Sequence, residues 1–223
     1  VLESIAKMKL LPCEIDLGEI VSHLLENENL DPEKYVEKLL SENLRTKRSY
    51  PLRPKDIVLF GFGRIGRILT RLLIADTGGG AKWRLRAIVV RGTGNPDDLI
   101  KRASLLRHDS VHGEFGGTIR VNKENSSLII NGNEVFVIES DNPSKIDYKK
   151  YGIKKATVVD NTGVWRDEEG LKQHTRNPSV EQVILTAPGK GKVKNIVFGI
   201  NDEKVKTDDK ILAAASCTTN AIA

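Results

Sequence analysis

The chain has 223 residues, and its 35 lysines and arginines exceed its 30 aspartates and glutamates by a net charge of only +5. This balance excludes a concentrated cationic surface, so nucleic acid is not expected as a partner. With 39% hydrophobic and 29% charged residues, the composition is that of an ordinary globular protein. No apolar run approaches the roughly 20 residues that span a bilayer, so no membrane partner is expected either.

The cysteine content and the ends of the chain bear on its cellular location and on whether it is a fragment. Cys13 and Cys217 lie far apart and cannot form a disulfide framework, and the first residues do not resemble a secretory signal. We therefore expect a reducing, cytoplasmic location. The chain opens on Val1 and stops at Ala223 within what reads as the start of an element, so we expect a fragment of a longer protein.

Residues 1–50 are predicted to be a short α-helical extension followed by a linker. Asp16 with Glu19 is a capping-box pattern, and Asp31 with Pro32 is an N-cap followed by proline at the first helical position. Each start precedes an apolar stripe, so two amphipathic helices are expected. The stripes pack on each other or on the neighbouring domain, or else form an arm that docks a partner. Residues 45–54 are predicted to be a linker.

From residue 55 onward, strands alternate with helices, which is typical of βαβ units. We predict a Rossmann-type, doubly wound α/β domain over residues 55–223, with a mostly parallel sheet and a small antiparallel insertion. Asn131 and Gly132 supply the turn of that insertion. The predicted strands are 56–60, 83–90, 118–121, 127–130, 134–138, 156–159, 182–185, 194–199 and 210–214, and the predicted helices are 64–75, 97–107 and 168–173.

A glycine-rich turn follows the first predicted strand and opens a helix. The motif is Gly-x-Gly-x-x-Gly, with Gly61 for the tight turn, Gly63 for close approach of a pyrophosphate, and Gly66 for close packing of the helix on the strand. Phosphates bind at such a helix N-terminus because its N–H groups are free. The motif predicts a dinucleotide site, the alternative being a turn without a ligand.

The end of the second strand bears on the choice of cofactor. An acidic residue is expected there to bind the adenosine ribose 2′-OH, but the strand ends in Val90 and Arg91, and no acid occurs before Asp97. An arginine suits a 2′-phosphate instead. The sequence therefore favours NADP, or use of both NAD and NADP, unless Arg91 simply points to solvent.

Cys217 follows a buried strand and is predicted to start a helix. The positive end of a helix stabilises a thiolate, which is the form that attacks carbonyl carbons, and backbone N–H groups there can receive an oxyanion. The alternative is a small buried core cysteine. Cys13 is expected to be inert.

A nucleophilic cysteine needs a base, and none of the four histidines is an obvious one. His23 lies in the extension, His108 and His112 lie in a loop, and His174 is predicted on a surface helix. No metal-ligating set is expected.

Seven motifs together resemble those of phosphorylating glyceraldehyde-3-phosphate dehydrogenases, in the same order and spacing, over residues 55–223. They are GFGRIGR from 61, HDSVHGEF at 108–115, NPSKI at 142–146, NTGVW at 161–165, TAPGK at 186–190, GINDEKV at 199–205 and ASCTTN at 215–220. SCTTN is the most specific of them.

The resemblance implies the chemistry. Cys217 would attack glyceraldehyde 3-phosphate to give a thiohemiacetal, hydride would pass to the nicotinamide, and inorganic phosphate would release 1,3-bisphosphoglycerate, a step of glycolysis and gluconeogenesis. Ser216 and Thr218 would help to hold phosphate. The cofactor would be lined by Gly61, Phe62, Gly63, Arg64, Ile65, Gly66, Arg91, Thr162, Gly163 and Thr186.

The chain also departs from the family. Asp141 stands where many members have a cofactor-contacting arginine, and ordinary members lack the extension. The family's base is a histidine beyond SCTTN, and the arginines that bind substrate phosphate follow it. The resemblance implies that the parent enzyme is a homotetramer. Because the histidine and these arginines are absent from the 223 residues, we expect the chain to bind cofactor without activity. The open alternatives are an erythrose-4-phosphate dehydrogenase and a non-catalytic nucleotide-binding or regulatory protein.

Overall fold

The computed structural model describes residues 1–8, 10, 15–27, 29–41, 54–76, 83–95 and 97–223. They form two compact units, the first containing the described residues up to Pro54 and the second those from Lys55 onward. Cys13 lies outside the described residues, as does the predicted linker apart from Pro54. No helix within the described ranges is long and apolar enough to cross a membrane.

The first unit contains three helices: α1 (Leu2–Lys7), α2 (Leu17–Glu26) and α3 (Pro32–Leu39). The Asp16 carboxylate accepts the N–H of Glu19 at 2.9 Å, and Asp31 caps α3 in the same way. Both predicted helix starts are therefore confirmed. The sequence missed α1, because six residues are too few for a helical period to be visible.

The apolar stripes of α2 and α3 are only partly buried. Ile20, Val36 and Leu40 form the small core of this unit. Leu25 of α2 and Leu39 of α3 are 74% and 48% exposed. Packing of the helices on one another therefore accounts for part of each stripe and not for all of it.

The second unit is built on a nine-stranded sheet with the order β10-β11-β9-β8-β1-β2-β7-β6-β5. The strands β7-β2-β1-β8-β9-β11 are parallel and follow the doubly wound order, and β5 and β6 add an antiparallel edge. The predicted fold class is confirmed. The elements are β1 (Lys55–Phe60), α4 (Arg64–Asp76), β2 (Trp83–Val90), α5 (Asp98–Arg107), β3 (His108–Asp109), β4 (Gly113–Glu114), β5 (Ile119–Asn122), β6 (Ser127–Ile130), β7 (Asn133–Glu139), β8 (Ala156–Asp160), α6 (Glu168–Thr175), β9 (Val180–Leu185), β10 (Lys194–Asn195), β11 (Ile211–Ala213) and α7 (Cys217–Ile222).

Both faces of the central strands are buried, as a parallel sheet requires. In β1, Val58 and Phe60 join the core on one face, and Ile57 and Leu59 join the core on the other. This alternation fixes the register of β1, because a slip of one residue would exchange the two sets.

The strand predicted at 194–199 is wrong beyond its first two residues. After Asn195 the chain turns, and the Asn201 side chain accepts the N–H of Val197 at 2.7 Å. Gly199 completes the turn with a φ of +80°, a conformation that ends a strand. The apolar residues that suggested a strand, such as the 89% exposed Phe198, therefore lie on a loop.

Candidate functional site

An open groove of about 510 Å³ lies at the carboxyl ends of β1 and β8. These neighbouring strands lead to opposite sides of the sheet, and ligands bind at such a switch point in open α/β folds. The lining residues are Phe60, Gly61, Phe62, Gly63, Val89, Val90, Arg91, Thr93, Arg102, Ser140, Asp141, Asn161, Thr162, Val164 and Trp165.

Each glycine of the turn after β1 has a different environment. Gly61 has a φ of +98°, and a Cβ there would lie 2.9 Å from Cγ2 of Thr162. A Cβ on Gly66 would overlap the carbonyl oxygen of Gly61, so the close packing is against the turn itself as well as the sheet. A Cβ on Gly63 would meet no atom within 4 Å. The backbone at Gly63 is therefore open to a ligand, next to the N-terminus of α4.

The side chain of Arg64 is engaged by the loop after β3. Its Nη2 donates to Ser110 Oγ at 3.0 Å, and its Nε lies 3.9 Å from Oδ2 of Asp109. The backbone N–H groups of His112 and Val111 donate to Asp109 and lower the pKa of its carboxyl group. Arg64, Ile65 and Gly66 are not among the residues that line the groove; they form the first turn of α4.

Asp160, at the end of β8, organises the wall of the groove. Its Oδ1 accepts the N–H and the hydroxyl of Thr162 at 2.8 and 2.6 Å, and its Oδ2 lies 3.1 Å from Nε2 of His174. Both the Asp160 and His174 side chains are fully buried. The predicted surface position of His174 is therefore wrong: it shares the buried face of α6 with Leu171 and packs edge-on against Phe60.

The other residues assigned to the cofactor on this side differ in position. Thr162 lines the groove, whereas Gly163 and Thr186 do not. The Thr186 hydroxyl lies 3.1 Å from both the Asp160 carbonyl oxygen and Oδ1 of Asn161. Thr186 therefore ties the end of β9 to the end of β8.

At the end of β2, the structure brings together residues that the sequence did not connect. Arg91 is exposed and lines the groove. On the neighbouring strand, Oε2 of Glu139 lies 2.7 Å from where a Cβ on Gly92 would be. Sequence reasoning missed Glu139, because only the parallel pairing of β2 with β7 places it there.

Cys217 is the first residue of α7 and is exposed. Ser216 is the N-cap: its hydroxyl accepts the N–H of Thr218 at 3.3 Å and lies 2.8 Å from the Thr218 hydroxyl. Ala215 has a φ of +55°, which is a strained conformation for alanine. Asn220 holds this turn by donating to the carbonyl oxygens of Ala214 and Ser216. Cys217 is thus presented on a sharp turn between strand and helix.

Cys217 and the groove lie at the same edge of the sheet. The order β11-β9-β8-β1 places Cys217 three strands from the glycine turn, or about 14 Å at the usual strand spacing. Among the described residues, no histidine forms a hydrogen bond with Cys217, and no group of three or more His, Cys, Asp and Glu side chains is placed to hold a metal ion.

The helical unit has its own open groove of about 650 Å³, next to the stacked rings of His23 and Tyr35. It is larger than the groove at the sheet edge, but it contains none of the residues that the motifs single out. We therefore take the sheet edge as the candidate site.

Comparisons with known proteins agree with this geometry. Residues 55–168 match the family model described as glyceraldehyde 3-phosphate dehydrogenase, NAD binding domain. The whole chain is 52% identical to a glyceraldehyde-3-phosphate dehydrogenase-like protein of Pseudomonas aeruginosa, covering 48% of that protein. Over 75% of the chain it is 35% identical to a glyceraldehyde-3-phosphate dehydrogenase of Thermotoga maritima, covering 46% of it, and 34% identical to chloroplastic glyceraldehyde-3-phosphate dehydrogenase A of Zea mays, covering 39%. The chain thus spans about half the length of the curated relatives it matches, or less.

Proposed function

Because this chain belongs to the glyceraldehyde-3-phosphate dehydrogenase family, we propose that its α/β unit binds NAD or NADP in the groove and that Cys217 is the nucleophile of a phosphorylating dehydrogenase. The observation that carries this proposal is the joint position of the open Gly63 backbone and Cys217 at one edge of a doubly wound sheet.

The groove fits a dinucleotide. Its volume of about 510 Å³ lies within the usual range for small-molecule sites. Gly63 gives close access to the start of α4, a helix of 13 residues, where free N–H groups and the helix dipole favour a pyrophosphate. Thr162 and Trp165 lie on the β8 side, which is the side nearer to Cys217.

The proposed chemistry begins at the Cys217 sulfur. The thiolate attacks the aldehyde carbon of glyceraldehyde 3-phosphate, and a C–S bond forms as the C=O π bond breaks. The resulting oxyanion takes a proton from solvent to become the hydroxyl of a thiohemiacetal. A nicotinamide dinucleotide held at Gly63, the start of α4 and Thr162 would supply the hydride acceptor. Loss of the hydride from that carbon, and of the hydroxyl proton to solvent, would leave a thioester on Cys217. Inorganic phosphate then displaces the sulfur to give 1,3-bisphosphoglycerate and restores the thiolate.

Ser216 and Thr218 flank the nucleophile, and their hydroxyl groups lie 2.8 Å apart. Because of the family resemblance, we propose that both hydroxyl groups help to hold phosphate. The homotetrameric parent enzyme and the cytoplasmic location stay predictions.

We expect the 223-residue chain to bind a nicotinamide dinucleotide without catalysing the reaction. The groove supplies the binding site, but within the described residues no histidine is placed to accept a proton at Cys217. Isothermal titration with NAD and NADP measures the first part, and NAD(P)H absorbance with glyceraldehyde 3-phosphate and phosphate measures the second. A full-length relative assayed in parallel is the control. Failure to bind either dinucleotide, or robust NAD(P)H production, would contradict this expectation.

We expect iodoacetamide to modify Cys217 about tenfold faster than Cys13 near neutral pH, because Cys217 is exposed at a helix N-terminus. Mass spectrometry of the two cysteine-containing peptides measures both rates in one sample. The variant Cys217→Ser provides the rate of Cys13 alone. Equal rates, or faster modification of Cys13, would count against Cys217 as the activated thiol.

A further inference from the structure

We propose that Glu139 supplies the carboxylate that β2 lacks, and that it makes this chain select NAD over NADP. This inference rests on the proposed function, since it concerns the adenosine end of the same dinucleotide. It replaces the preference for NADP that the sequence assigned to Arg91.

The position of Glu139 is the first support. In a doubly wound fold, the acid that binds the adenosine ribose stands at the end of the second strand. Here β2 ends at Val90, whose partner on β7 is Glu139. Two residues further on, Gly92 has no side chain, and Oε2 of Glu139 lies 2.7 Å from the place that a Cβ on Gly92 would occupy. The carboxylate thus stands where a side chain at position 92 would begin.

The availability of Glu139 is the second support. Its carboxylate forms no hydrogen bond or ion pair with any other residue in the described part of the chain, and it is exposed. A ribose 2′-OH can therefore donate to it without breaking an existing contact. A 2′-phosphate in the same place would meet a like charge, which disfavours NADP.

The local charges favour the same conclusion. Arg91 and Arg102 line the groove, and Lys123 lines a neighbouring hollow together with Glu139. Arg102 and Lys123 are already paired with acids. Arg102 donates to Asp98 at 2.5 Å, and Lys123 lies 3.8 Å from Asp97. Arg91 is left to oppose Glu139 and Asp141, and Asp141 also lines the groove. One unpaired cation against two unpaired carboxylates does not make a site for a 2′-phosphate.

The test is isothermal titration of the 223-residue chain with NAD and with NADP. We expect the wild type to bind NAD about tenfold more tightly than NADP. Glu139→Gln removes the charge and keeps the shape, so we expect it to bring the two affinities to within about threefold, mainly by strengthening NADP binding. Arg91→Gln is the matched control at the same strand end, and we expect it to leave the preference for NAD in place.

A rescue variant separates a specific role from a general disturbance. Glu139→Ala should lose the preference, and Gly92→Asp added to it should restore the preference by placing a carboxylate at the end of β2 itself. An unchanged NAD to NADP ratio in Glu139→Gln would overturn the inference while leaving the proposed function intact. So would a wild type that prefers NADP and loses that preference in Arg91→Gln. Absence of saturable binding of both dinucleotides to the wild type would overturn the proposed function, and this inference with it.

Discussion

Replacing Asp160 by alanine is expected to lower the free energy of unfolding of the α/β unit by about 3–5 kcal/mol, as happens when one member of a buried polar pair is removed. Asp160 and His174 have no exposed side-chain surface. Nδ1 of His174 has no hydrogen-bond partner among the described residues, so losing Asp160 would leave the ring without any. The N–H and hydroxyl of Thr162 would lose their acceptor as well.

Urea unfolding followed by tryptophan fluorescence measures this loss, because both tryptophans, Trp83 and Trp165, belong to the α/β unit. Asp208→Ala is the matched control: Asp208 is exposed, and we expect its replacement to change the free energy by no more than about 0.5 kcal/mol. Asp160→Asn keeps an acceptor for Thr162 and should cost less than alanine. A loss below about 1 kcal/mol in Asp160→Ala would show that the pair is not a determinant of stability.

Alanine at Gly63 is expected to weaken dinucleotide binding without loss of stability, whereas alanine at Gly66 is expected to lower stability. At Gly63 the new methyl group meets no atom within 4 Å, so we expect a change in unfolding free energy within about 0.5 kcal/mol. The same methyl group lies where a pyrophosphate must approach the backbone. Dinucleotide affinity should therefore fall by about tenfold or more, which corresponds to about 1.4 kcal/mol.

At Gly66, helix propensity alone would favour alanine by about 1 kcal/mol. The methyl group, however, overlaps the carbonyl oxygen of Gly61, which is backbone and cannot rotate away. Such overpacking costs about 1–3 kcal/mol, so we expect a net loss of stability in Gly66→Ala. Chemical denaturation and titration with NAD on the two variants separate these effects. If Gly63→Ala binds dinucleotide like the wild type, Gly63 is not the point where a pyrophosphate approaches the backbone. If Gly66→Ala unfolds like the wild type, the close packing at Gly66 does not require glycine.

Much of the α/β unit could be predicted because its sequence pattern is local. Residues 57–60 of β1 and 87–90 of β2 are apolar on both faces, and the glycine turn between β1 and α4 has an unambiguous spacing. The antiparallel hairpin followed from Asn131 and Gly132, whose φ values are +45° and +80°. Prediction failed where a helix was too short to show its period, as in α1. It also failed where a side-chain hydrogen bond turns the chain and ends a strand, as Asn201 does after β10.

The candidate site divides in the same way. The sequence by itself determined the glycine turn, the position of Cys217 after a strand, and the absence of an acid at the end of β2, because each depends on residues close together in the chain. Only the tertiary structure decided that His174 is buried against Asp160, 14 residues away, and that Glu139 stands over Gly92, although 46 residues separate them. The physical reason is that parallel strand pairing brings together residues with no fixed spacing in sequence, so the partner of a strand end becomes known only when the sheet order and register are known.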